Sequence, residues 1–201
     1  MSILSKLGYH LRRSSASRCW HNEDGVTAIE FAMIGPIFFL LLGSIMETGI
    51  MLFSEYSLQT SVQSAARMVR TGQAQEQGMT AAQFKNAICE TAEIVMDCAG
   101  GVTVYMVSAA NFAALEAAVP SYLNIGNSYG GPAGPTSYSC GNPSQVVAVI
   151  TTYDWKFTMP FLKEHFGNVD GNAKRRIAGF AMFQNEPFPA TGSTCPGSGQ
   201  G

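Results

Sequence analysis

The chain has 201 residues, of which 46% are apolar and only 13% charged, with a formal net charge of −2. That length suits one domain with extensions, and so low a charged share points to a protein that places part of itself in lipid. The charge is uneven: residues 1–25 carry Lys6, Arg12, Arg13 and Arg18 against Glu23 and Asp24, a balance of +2, whereas the remainder stands at −4. A mildly acidic body speaks against nucleic acid as a partner.

Residues 1–25 lack apolar periodicity and read as a cytoplasmic tail. The pair Arg12-Arg13 is not followed closely by the apolar segment and Ala-x-Ala site of a twin-arginine export signal. Cys19 with His21 is too sparse for a metal site.

The next stretch organises the rest. From Phe31 to Met46 there is no charge, and with Ala28 and Ile29 the run is long enough to cross most of a hydrocarbon core of roughly 30 Å. Residues 26–53 are therefore read as a membrane helix. A basic flank stays on the cytoplasmic side of a first span, so what lies beyond it is read as exported. A secretory signal peptide would have a shorter apolar core followed by small residues, whereas Glu47-Thr48-Gly49 follows here. Gly35-Pro36 is expected to kink or loosen the helix, because Pro36 has no N–H to donate. Glu47, about 25 Å along the helix from Glu30, is expected to reach the outer headgroups. Glu30 is harder to place, since an ionisable group at a membrane helix's edge is costly unless something neutralises it.

The run Gly25-Val26-Thr27-Ala28-Ile29-Glu30-Phe31 resembles the cleavage site of type IV prepilins. The longer stretch from Gly25 to about Gln73, with Ala-Ala-Arg-Met-Val-Arg-Thr-Gly-Gln-Ala at 65–74, resembles the TadE-like minor pseudopilins of tight-adherence (Tad) pili. Weaker similarity appears at Phe84–Cys89, at Asp97-Cys98 and at Met182–Phe188. The resemblance implies that a prepilin peptidase cuts between Gly25 and Val26, removing residues 1–25 and leaving Glu30 fifth and Phe31 sixth in the mature chain. It further implies a single-pass inner-membrane protein whose residues 54–201 form a periplasmic domain. The implied partners are the peptidase, other pilins or pseudopilins, the inner-membrane platform and the membrane itself. The implied role is pilus assembly, without catalytic residues, cofactor, metal or small-molecule substrate. Major pilins of such systems are far shorter than 201 residues, which argues against the bulk filament subunit. The TadE and TadF roles are not separated by these residues.

Beyond the span, Leu58, Val62, Ala65, Ala66 and Val69 recur at three- and four-residue spacing, with Gly72 as a stop. One helix is thus expected from about Val26 to Thr71, apolar first and amphipathic later. Thr80-Ala-Ala-Gln83 has the spacing of a capping box and opens a second helix carrying Phe84, Ile88, Ala92 and Val95. Three strands are expected at Val102–Val107, Gln145–Tyr153 and Arg175–Phe183, the second of them central. A short helix from Asn111 to Val119, stopped by Pro120, precedes a Gly/Pro/Ser-rich loop over 120–144, and Met159–Phe166 reads as a helical turn with aromatic anchors. Packing the amphipathic half-helix on the sheet covers the apolar faces of both. The expected fold is α+β: a long N-terminal helix on a small antiparallel sheet, pilin-like.

Cys89, Cys98, Cys140 and Cys195 all follow the span, an even number in an oxidising compartment. Three pairings are open. Closeness in sequence favours Cys89–Cys98, which requires the second helix to end before Cys98, and leaves Cys140–Cys195 to hold the tail. Of the histidines, His10 and His21 lie in the leader and His165 stands alone beside Glu164, a surface residue rather than a base. No Gly-x-Ser-x-Gly, phosphate loop or Cys-x-x-Cys is present, so an enzyme is not expected. The alternative kept open is an uncleaved single-span anchor for a periplasmic binding module, with Tyr122, Tyr129 and Tyr138 as a saccharide-binding loop. An anchored hydrolase without a recognisable motif is the remaining one.

Overall fold

The computed structural model describes residues 25–92, 96–118, 138–167, 169, 174–189 and 195. The leader, Cys19, Val95, Pro120, Tyr122, Tyr129 and most of the tail beyond Pro189 lie outside the described residues. The chain divides into two units, Met1–Ile45 and Met46–Gly201.

In the first unit the described residues belong to one helix, α1, which runs from Val26 to Arg70 and is unbroken through Pro36. Its large apolar side chains are exposed here, Phe31 at 67%, and it is the one helix among the described residues long and apolar enough to cross a membrane. A row of leucines, isoleucines and phenylalanines open on all sides is suited to lipid or to other helices, not to water.

In the second unit α1 acquires one buried face. Leu58, Val62, Ala65, Ala66 and Val69 are buried, the stripe that the spacing predicts, and Met51, Ser54 and Ser61 extend it. The helix stops where Gly72 takes φ +84 and returns its N–H to Val69 O, a left-handed ending that favours glycine. After a single turn, α2 (Gln73–Glu76), comes α3 (Ala81–Ala92). Its capping box forms as read: Thr80 N–H donates to Gln83 Oε1, and Gln83 N–H to Thr80 Oγ1. Phe84, Ile88 and Ala92 point into the core.

A four-residue turn, α4 (Cys98–Gly101), leads into β1 (Val102–Ala109), followed by α5 (Phe112–Ala118), β2 (Val146–Lys156), α6 (Pro160–Phe166) and β3 (Lys174–Gln184). The strands form one antiparallel sheet in the order β1-β2-β3, with Met106 opposite Val149 and Val149 opposite Ala181. The most apolar strand, β2, is central, as its composition predicts; β3 is equally long. One sheet face, with Val102, Val104, Met106, Val147, Val149, Ile177 and Ala181, packs with α1 and α3 into the main core. On the other face Leu115 of α5 covers Val146 and Ala148. α1 comes close to the sheet at Gly179, where an added Cβ would stand 2.9 Å from Val62 Cγ2 and 3.2 Å from Leu58 O. The fold is α+β, a long N-terminal apolar helix packed on a three-stranded antiparallel sheet.

Candidate functional site

At the head of α1, Gly25, Val26, Glu30 and Phe31 are all exposed. A Cβ built on Gly25 meets no described residue within 4 Å. Packing among the described residues therefore does not call for glycine at this position. Glu30 makes no ion pair with another described residue. Four residues that the sequence singles out thus stand together on a helix end that no described residue covers.

The two bridges sit in the second unit. Cys89 and Cys98 are joined with Cα atoms 5.6 Å apart, α3 having ended at Ala92 before Cys98 begins its own turn. Cys140 and Cys195 are joined with Cα atoms 5.9 Å apart. The carbonyl of Cys140 accepts two hydrogen bonds of 2.9 Å, from Gln75 Nε2 and from Asn185 Nδ2, and both carboxamides are buried. Asn185 also donates to Asn142 O, so the segment around Cys140 is held between α2 and the end of β3. Neither spacing nor local composition points to this polar knot, since Gln75 lies beside Glu76 and Asn185 lies between Gln184 and Glu186.

Just beyond β3, Glu186 N–H donates to Arg70 O at 2.9 Å, and the Phe188 ring lies over Gly72 so closely that a Cβ there would be 2.5 Å from it. The structure thus brings the end of α1 and the turn after it, at Arg70 and Gly72, against the segment that follows β3, at Glu186 and Phe188. Tyr138 is buried beside Phe84 and away from solvent, which pushes its phenol up to about 12. A side chain so placed is not available to a saccharide.

Glu47 departs from expectation. It is 9% exposed, with Oε1 accepting from Thr158 N–H and Oε2 from Met159 N–H at 2.9 Å. It does not reach outward to headgroups; it clamps the turn between β2 and α6 onto α1. The aromatic anchors expected in α6 also differ. Leu162 and the preceding Phe157 are the buried residues, while Phe161 and Phe166 are 52% and 47% exposed. His165 is exposed, stacked on Phe161 with its Nδ1 near Phe161 O. Among the described residues no group of three or more His, Cys, Asp or Glu is placed to hold a metal ion.

Comparison with known families now bears on the exposed helix end. Residues 25–67 match the TadE-like protein family. The TadE-like stretch starts at Gly25, the glycine that no described residue packs against, and ends three residues before α1 does. It includes Val26, Glu30 and Phe31, and it excludes the sheet and all four bridged cysteines. No curated protein and no solved structure matches the chain.

Proposed function

We propose that this chain is a minor pseudopilin of a Tad-type pilus, held in the inner membrane by the first half of α1 with residues 54–201 in the periplasm. In this reading a prepilin peptidase recognises Gly25, Val26, Glu30 and Phe31, cuts after Gly25 and releases Val26 as the new amino terminus. The protein then takes part in pilus assembly through the platform and the other pilins, without a cofactor or chemistry of its own.

One observation carries the reading. A glycine that no described residue packs against directly precedes an exposed apolar helix, with a carboxylate five residues on that makes no ion pair among the described residues, inside a TadE-like stretch that begins at that glycine. A recognition sequence for another protein accounts for all of these together; packing accounts for none of them. An uncleaved single-span anchor shares every feature except the cut.

Intact-mass measurement of the protein from its own membranes separates the two. The expected mass is that of a chain beginning at Val26, and Gly25→Glu is expected to leave residues 1–25 attached. A wild-type chain that still begins at Met1, or full processing of Gly25→Glu, rules the reading out.

A further inference from the structure

Over residues 46–56, α1 carries two different faces at once. Glu47, Met51 and Ser54 are buried against the second unit, while Met46, Ile50, Leu52, Phe53 and Tyr56 are exposed. No charged residue lies between Glu47 and Glu55, so the apolar face continues six residues beyond Glu47 to Phe53, about 9 Å along the axis. The level of Glu47 therefore lies inside the apolar band, not above it. A bare carboxylate would be costly at such a level. Here both of its oxygens take backbone N–H groups from Thr158 and Met159, and these in turn find their acceptor in Glu47. Irregular backbone at membrane depth is tolerated when its polar groups are satisfied in this way.

That clamp fixes what comes next in the chain. Helix α6 begins at Pro160, directly after Met159, and is pinned by buried Leu162. Its outer side carries Phe161, His165 and Phe166, with Phe161 stacked on His165 at 4.7 Å and 6.5 Å from Phe166. Lys163 and Glu164 are both exposed on the same helix. Aromatic rings with charged ends beside them suit the headgroup zone of a bilayer, where a ring sinks and a charged end stays wet.

We infer that α6 lies in the outer interfacial zone of the membrane, with Phe161, His165 and Phe166 facing phospholipid, so that the periplasmic unit rests on the bilayer at two points. The inference rests on the reading of α1 as a membrane anchor. The occupant is lipid and not a second copy because the ring cluster is clamped at a level where α1's exposed residues are still uniformly apolar.

The test uses the full chain in phosphatidylethanolamine/phosphatidylglycerol vesicles, in a Trp20→Phe, Trp155→Phe background, with single tryptophans at Phe161→Trp or Phe166→Trp. Ile37→Trp reports the anchor. Phe112→Trp on α5, which packs at the Val146 end of β2, about 34 Å along that strand from Lys156, reports the far end of the sheet. With lipids brominated on the acyl chain, the emission of Phe161→Trp and Phe166→Trp is expected to be blue-shifted and lost, more to shallow than to deep bromines, while Phe112→Trp keeps its intensity. Loss of Ile37→Trp emission with Phe161→Trp and Phe166→Trp unaffected overturns the interfacial placement and leaves the anchor standing. A blue shift of the α6 probes that grows with protein-to-lipid ratio and ignores bromine overturns it in favour of a second copy. An unquenched Ile37→Trp overturns the anchor, and the placement of α6 falls with it.

Discussion

Glu47 is the one acid among the buried described residues of the second unit, and both of its oxygens are committed to backbone N–H groups of the β2–α6 turn. Hydrogen bonds to a charged acceptor contribute more than neutral ones, and removing the acceptor leaves two N–H groups without a partner. Glu47→Ala is therefore expected to destabilise the second unit by about 2–3 kcal/mol. Denaturant unfolding in detergent measures this, with Glu47→Gln falling between the two because its carboxamide retains one acceptor oxygen. Tyr138 gives the pH counterpart. Its phenol ionises near 10 in the unfolded chain but is held up to about 12 by burial when folded. Stability from this group is complete below pH 10 and is lost as pH rises towards 12, by up to about 2–3 kcal/mol. Tyr138 Oη has no hydrogen-bond partner among the described residues, so Tyr138→Phe is expected to abolish this alkaline loss without weakening the protein at pH 7. Melting curves of both proteins between pH 8 and pH 12 decide it. Neither role was legible in the sequence. Glu47 finds its partners 111 and 112 residues away, and no local pattern records such a bond.

Elements were far easier to read than these residues, for a physical reason. A helix stripe or a strand's alternation repeats its environment every few residues, so Leu58, Val62, Ala65, Ala66 and Val69, or Ile177 and Ala181 against Phe180 and Met182, declare which face is covered. The capping box at Thr80 and the stop at Gly72 are local chemistry and read equally well. What attaches one element to another is not periodic. Gln59 donates from Nε2 to Phe180 O and accepts at Oε1 from Phe180 N–H, 121 residues away, and so blocks one point on the open edge of β3. The rings of α6 show the limit of composition, since apolar character alone does not distinguish a core anchor from an exposed one. Gly179 tests the helix–sheet contact itself. Its missing side chain admits Val62 and the Leu58 carbonyl, and an added methyl group must push α1 off β3. Gly179→Ala is expected to cost about 1–3 kcal/mol. Gly49→Ala, on a helix position where a Cβ meets nothing within 4 Å, is expected to be neutral or stabilising by up to about 1 kcal/mol. Thermal melts of the two variants should move in opposite directions, and a common direction would show that α1 does not rest on Gly179.

At the scale of the whole molecule, the head of α1 and the folded second unit answer to different demands. The second unit has its own core, two disulfides and a satisfied sheet, and none of its described hydrogen bonds or bridges involves Glu30. Glu30 stands exposed on an apolar helix with no ion pair among the described residues, an expensive place for a carboxylate in lipid. Cleavage after Gly25 would create a positive α-amine on Val26 at the same membrane edge. Within one helix that amine and Glu30 are about one turn apart, and in an assembly the carboxylate of one subunit can meet the amine of the next. Pairing in low dielectric offsets part of a desolvation cost of several kcal/mol per ion, whereas an unpaired charge keeps all of it. Glu30 should therefore matter to docking in a pilus and hardly at all to folding. Glu30→Ala is expected to leave the protein membrane-inserted, disulfide-bonded, cleaved after Gly25 and unchanged in the unfolding of its second unit, while piliation is lost or greatly reduced. Glu30→Asp, which keeps the charge on a shorter stem, is expected to restore part of it. Counting pili on cells that carry each variant, alongside the mass of the extracted protein, separates assembly from processing. Wild-type piliation with Glu30→Ala would show that the carboxylate merely reaches the inner headgroups and pairs with nothing.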